Sequence, residues 1–225
     1  MLIRAISQWV STGSFLPVVT ALLSSIFVVF YVIPIHEAAH AWAAYKMGDD
    51  TPKYAGGLTL NPMAHIDPLG AIMLILVGVG WGKPTPINPY NFRDEKKGRI
   101  VTALAGPVSN LLLGWLFIFL SNLIAHIGNP LNSFVIAMVA FFYLSGNIST
   151  WLGVLNLLPV PLFDGFTLIE VFLSPKAKYW IQQNQRIISI VILILLFTNI
   201  LIYPLEFISN FFMRFFQWTS NLIFA

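Results

Sequence analysis

The sequence predicts an all-α polytopic membrane protein, and three observations carry the prediction. Of its 225 residues, 57% are hydrophobic and only 9% are charged. Soluble domains carry roughly 25% charged residues, so this chain cannot cover a soluble surface. Apolar stretches of about 20 residues, long enough to cross a bilayer, recur along it. Its 12 basic residues, against 9 acidic ones, collect in loops, which is an orientation signal and not a nucleic-acid surface, so no nucleic-acid partner is expected. We read a single domain over 1–225, with its core at about 15–206 and the lipid bilayer as its surroundings. Cysteine is absent, so disulfides and thiolate ligands are both excluded, and any transition-metal site must use histidine and carboxylates.

The elements follow in chain order. Arg4 precedes a long apolar run with no small-residue cleavage site, which reads as a retained helix and not as a signal peptide. The first span is expected from about Phe15 to Tyr45, and nothing charged lies between Arg4 and His36. Pro34 should free the carbonyl of Phe30 and bend this helix. Leu69–Trp81 is short and glycine-containing, marginal as a full span: if it crosses, the N-terminus moves inside and HEAAH leaves the cytosolic half, and if it re-enters without crossing, four spans remain. Residues 100–163 contain no Asp, Glu, Lys or Arg and divide at "HIGNPLN" (126–132) into spans at about 100–124 and 134–157. The last clear span is Ile187–Leu205, followed by an amphipathic tail, "EFISNFFMRFFQW". This makes about four core transmembrane helices plus a short re-entrant segment after the first. Lys83, Arg93, Lys96, Lys97 and Arg99 lie between the re-entrant segment and the second span, while the turn at 125–133 carries no basic residue other than His126. The positive-inside rule therefore places 82–99 and 174–186 in the cytosol and 125–133 outside.

"YVIPIHEAAHAW" (31–42) puts ionisable groups where they cost on the order of 2.5–3.5 kcal/mol each. His36 and His40, four residues apart, share one helix face within reach of a single ion. H-E-x-x-H is a two-histidine zinc motif whose glutamate, here Glu37, serves as general base. A tetrahedral catalytic zinc needs a third protein ligand. His126 falls in the external turn and Glu206 at the outer end of the last span. Glu170 lies nearer the basic loop, and His65 and Asp67 remain candidates on the cytosolic side. Asp164 ends the uncharged run in "NLLPVPLFDG" (156–165), in the same leaflet half as HEAAH. Pro159 and Pro161 break the backbone there, and broken backbone at membrane depth persists only beside a cavity or inside protein. Paired with HEAAH, Asp164 is the preferred ligand.

"HEAAH" with "NLLPVPLFDG", which fits N-x-x-P-x-x-x-x-D-G, resembles the site-2 protease family of intramembrane zinc metalloproteases. "LTLNPMAHIDPLG", "GKPTPINP" and "ALAGPVSN" resemble its small prokaryotic branch without PDZ insertions. Leu162 and Phe163 stand where Pro-Leu is usual, and Phe166 where a second glycine is common. The resemblance implies one Zn2+ per chain on His36, His40 and Asp164, with Glu37 as base and Asn156 near the scissile carbonyl. It also implies a re-entrant β-element, with "AGGLTLNP" and "GKPTPINP" as extended strands. The expected substrate is a transmembrane protein or a membrane-retained peptide, cleaved in or near its membrane segment. The expected setting is a prokaryotic cell membrane, with the active site toward the cytosolic half. The alternative is a membrane metal-ion transporter or metal-binding protein using the same His/Asp site. Pro107 is read near the first turn of a helix opened by "AGPVSN", with Ala103, Gly106 and Ser109 in close helix packing and Asn110 as polar support. The oligomeric state is not legible.

Overall fold

The computed structural model describes residues 2–198 and 200–224. Helix α1 (Leu2–Thr12) packs through Ala5 on Val18 and Ala21 of α2 (Leu16–Phe27). A π-helical turn, Val28–Val32, joins α2 to α3 (Ile33–Met47). The widened turn answers Pro34, whose ring crowds the carbonyl four residues back and which donates nothing to it. Ile33 N–H reaches back five residues to Val28 O. π turns of this kind are frequent beside functional sites, and HEAAH begins four residues after this one. Together the three pieces form one 32-residue apolar rod, Leu16–Met47, long enough to cross a membrane.

Two single turns, α4 (Thr51–Tyr54) and α5 (Pro62–His65), lead to α6 (Pro68–Val77). Asp67 caps α6 by accepting the Gly70 N–H at 2.8 Å. Its ten residues span about 15 Å, half of a hydrocarbon core. The strands expected in 55–62 and 82–89 do not form. Among the described residues there is no strand, only one antiparallel bridge, Ile66 to Gly82, with Lys83 N–H on His65 O at 2.7 Å. Pro62, Pro84, Pro86 and Pro89 explain this, since each removes a donor that a ladder would need.

Helix α7 (Glu95–Ile127) and α8 (Ser133–Asn156) are the other two helices long and apolar enough to span. Asp94 caps α7 and Asn132 caps α8. Pro107 does not open a helix: α7 starts at Glu95, and Pro107 lies in its interior. The Asp94 cap on Lys97 N–H, at 3.0 Å, nucleates the helix three turns earlier. Small residues bring α7 and α8 together, and Ser149 Oγ donates across to Asn110 O at 2.8 Å. The Ser109 hydroxyl bonds Gly106 O on its own helix at 2.7 Å. The core is Val28, Val29, Val32, Ile33, Leu74, Phe117, Ile148 and Leu152.

After α9 (Gly165–Glu170), helix α10 (Pro175–Phe197) brings Ile192 and Leu196 onto Val154 and Leu155. The span expected over Ile187–Leu205 is therefore broken. Helix α11 (Ile202–Phe224) starts afresh beyond it, since Pro204 within a continuous helix would crowd the carbonyl of Ile200. Helix α11 runs alongside α7, where Trp115 Nε1 donates to Thr219 Oγ1 at 3.0 Å and Phe224 stacks on His126.

The C-terminal ends of α3 and α8 and the N-terminal end of α7 meet at one end of the molecule. Arg93 N–H bonds Met47 O there at 3.0 Å. Lys46, Arg93, Lys96, Lys97 and Arg99 gather at this basic end, as the loop charges predict. The apolar spans make this a multi-pass membrane protein.

Candidate metal centre

One turn-and-a-bit of α3 places His36 and His40 on the face turned toward α7. Both are buried, at 8% and 6% exposure. Asp164 reaches them from the far side, at the end of the irregular 157–164 segment that Pro159 and Pro161 keep from being helical. Its Oδ2 lies 3.3 Å from His36 Nε2 and 3.2 Å from His40 Nε2, and the two Nε2 atoms are 3.0 Å apart. Among the described residues this is the one group of three such side chains that could hold a metal ion.

The triangle has the right size and chemistry for one. Donors about 2.0–2.1 Å from a tetrahedral zinc stand roughly 3.3 Å apart. His40 Nδ1 lies 2.7 Å from Thr102 O, and a carbonyl only accepts, so the ring proton is on Nδ1 and Nε2 presents a lone pair. Asp164 Oδ2 is buried and has no hydrogen-bond partner among the described residues. Lone pairs facing one another in a buried pocket are repulsive unless a cation lies between them. A nitrogen–oxygen set of two imidazoles and a carboxylate, with a fourth position open, suits zinc.

Gly106 makes the close approach of α7 possible. A Cβ there would collide with the Nε2 atoms of both histidines. Glu37 stands beside the triangle, half-buried, and its Oε2 accepts the Thr85 N–H at 3.0 Å while Thr85 Oγ1 donates to Glu37 O at 3.2 Å. These groups open on a cavity of about 740 Å³ that is lined chiefly by apolar side chains, with Ile33, Leu152, Leu155 and Leu193 among them. Asn156, the last residue of α8, is on its wall, as are Asn110 and Arg99.

The other candidate carboxylates and histidines lie away from the triangle. His65 is buried, with Nε2 2.9 Å from Thr59 O, and Asp67 caps α6. His126 is against Phe224, and Glu170 pairs with Arg99 at 3.6 Å. Glu206 is not at an outer end: its neighbour Leu205 packs on Val154 and Leu155, because α11 starts beside that end of α8. Sequence reasoning missed Thr85 and Thr102. Thr102 acts through its backbone carbonyl, which no side-chain pattern reports. Thr85 is signalled only by its place between two prolines. Asn110 is more than packing, because it is buried with Oδ1 lacking a partner among the described residues and lines the cavity.

Comparison with known proteins agrees with this centre. The description of peptidase family M50 matches residues 24–199. The chain is 39% identical over 165 residues to "Putative zinc metalloprotease YwhC" of Bacillus subtilis, covering 73% of this chain and 75% of that one. It is 28% identical over 169 residues to "Putative zinc metalloprotease Rip2" of Mycolicibacterium smegmatis, covering 73% of this chain and 62% of the relative. The protein of the same name from Mycobacterium tuberculosis H37Rv is 30% identical over 165 residues, covering 72% and 61% respectively. No solved structure matches.

Proposed function

Because this chain belongs to peptidase family M50 and is a zinc metalloprotease, we propose that it hydrolyses peptide bonds in or next to the membrane segments of other membrane proteins. The observation that carries the reading is the His36–His40–Asp164 triangle beside Glu37, enclosed among membrane-length helices and open to an apolar cavity of about 740 Å³. A soluble protease has no reason to bury its centre in such rods.

His36, His40 and Asp164 would hold the zinc. Bound there, the ion supplies Lewis-acid polarisation of the scissile carbonyl and a lowered pKa for water. Thr102 O holds the His40 ring in the tautomer that presents Nε2. Glu37 takes the proton of the attacking water and delivers it to the leaving amine. The Thr85 N–H leaves one carboxylate oxygen of Glu37 free for that task. Asn156, on the cavity wall, donates to the developing oxyanion. The segment 82–88 offers the unwound substrate chiefly carbonyl acceptors, because Pro84 and Pro86 have no N–H and that of Thr85 is already used.

Sidedness follows from charge. The basic end faces the cytosol of a prokaryotic cell, so the centre lies in the cytosolic half. Helix α6 re-enters there without crossing, and the broken α10–α11 pair makes the fourth crossing. The test is Glu37→Gln in the purified protein with a transmembrane reporter. Zinc content should stay at one per chain while cleavage falls by about 10²–10⁴-fold. Undiminished cleavage sinks the mechanism.

A further inference from the structure

A second cavity, of about 570 Å³, is walled by α1, α2, α8, α11 and the turn after α6. Val79 lines both it and the catalytic cavity. Its lining differs from that of the first in carrying Gln8, Thr20, Asn147, Glu206, Ser209 and Asn210. Glu206 is the one charged group among them. Glu206 and Asn210 are exposed on the wall of this cavity, within reach of a ligand, and beside the membrane-length rods Leu16–Met47 and α8 a carboxylate gains from a partner.

None of the described residues supplies one. Glu206 has no ion pair or hydrogen bond to any of them, and neither do the side-chain amides of Asn147 and Asn210. The Thr20 hydroxyl is spent on its own helix, at 2.9 Å from Leu16 O. The cavity thus offers one negative charge and two uncommitted amides, a set that suits a cationic hydrogen-bond donor. It is far too large for a bare ion, since a water molecule takes about 30 Å³, but it accommodates a long side chain with its flanking backbone.

We propose that this cavity is a substrate subsite that takes a lysine or arginine of the membrane segment being cleaved. The proposal rests on the intramembrane-protease reading and names the substrate class within it: membrane segments that carry a basic residue at a fixed offset from the scissile bond. Contact of both cavities with Val79 makes this geometry available, since a chain unwound at the metal centre continues past Val79 toward Glu206. A basic residue in a substrate span carries a desolvation cost, and pairing with Glu206 relieves it.

The experiment uses the purified, zinc-loaded protein in bilayers and a set of transmembrane reporters. In each reporter a single lysine, or a glutamine in its place, is moved residue by residue along the segment. The wild type should cleave the lysine member over its glutamine counterpart by about tenfold at one offset, the equivalent of ~1.4 kcal/mol. In Glu206→Gln the ratio should fall to about one at that offset, and in Glu206→Lys a glutamate-bearing reporter should become the preferred one, as expected for a charge-pair effect. Zinc content reports folding of the variants, and the near-isosteric Glu206→Gln carries the test if Glu206→Lys does not fold. An identical ratio at every offset in wild type and Glu206→Gln overturns the subsite and leaves the protease reading intact. Failure of the wild type to cleave any reporter, the lysine-free ones included, overturns the protease reading and the subsite with it.

Discussion

Gly106 shows how much of the metal centre depends on an atom that is missing. Helix α7 comes close enough for Thr102 O to hold His40 only because position 106 carries no side chain. The close helix packing read for Gly106 from "AGPVSN" is what the structure shows: α7 packs there against α3, at the two histidines of the metal centre. Gly106→Ala should push the two imidazoles out of register and weaken zinc binding by about tenfold or more, which competition with a chelator would measure. Unchanged affinity would show that α7 can retreat without cost. At this scale the sequence also named the triangle itself. The spacing of His36 and His40 sets their common face by helix geometry alone, and Asp164 was the carboxylate ending the uncharged run. Thr102 escaped because its backbone carbonyl does the work, and Thr85 because its N–H and hydroxyl reach Glu37 across 48 residues of chain.

At the scale of elements, the loop at the basic end is held by a single buried carboxylate. Asp49, wholly buried, accepts from Thr51 N–H at 3.0 Å, Asn88 N–H at 2.7 Å and Asn91 Nδ2 at 2.9 Å, and the Thr51 hydroxyl also bonds it. It thus ties the end of α3 to the segment that carries Thr85 to Glu37. The left-handed Gly48, at φ 112°, lets the chain turn sharply enough to aim it. Burial works against the charged form, but these hydrogen bonds outweigh it and hold the carboxyl below its ordinary value. A depressed native pKa means the clamp contributes fully above the unfolded value of about 3.9. That contribution is lost as pH falls through the lower native value. Hydrogen exchange at 88–91 should accelerate over that acid range in the wild type. In Asp49→Asn it should already be fast at neutral pH, and equal protection in the two would remove Asp49 as the clamp. The same segment was expected to be a strand. Its prolines predict the extended backbone, but beyond the single bridge at Gly82 and Lys83 its backbone N–H groups at Thr85 and Asn88 bond the side chains of Glu37 and Asp49 and not a neighbouring strand.

For the whole molecule, the arrangement of spans makes a direct prediction about sides. The natural chain has no cysteine, so single cysteines placed at Thr51 and Asn129 report topology without background. They should label with an impermeant thiol reagent from opposite faces of the membrane, Thr51 from the basic side. Labelling of both from one face would contradict the crossing of α7.

The sequence by itself determined that this chain lives in a bilayer, which loops carry its positive charge, and which three side chains could meet at a metal. Each of these is a local property: hydropathy over one helix length, charge between helices, and the 3.6-residue period that aligns His36 with His40. Only the tertiary structure decided that Pro34 is absorbed as a π turn, that Pro107 lies within a long helix and that the last span breaks before Pro204. It alone placed Glu206 on the wall of a second cavity instead of at the outer end of a span. These outcomes depend on which neighbour takes up a freed carbonyl or leaves a carboxylate unpaired, and those neighbours are tens of residues away in the chain.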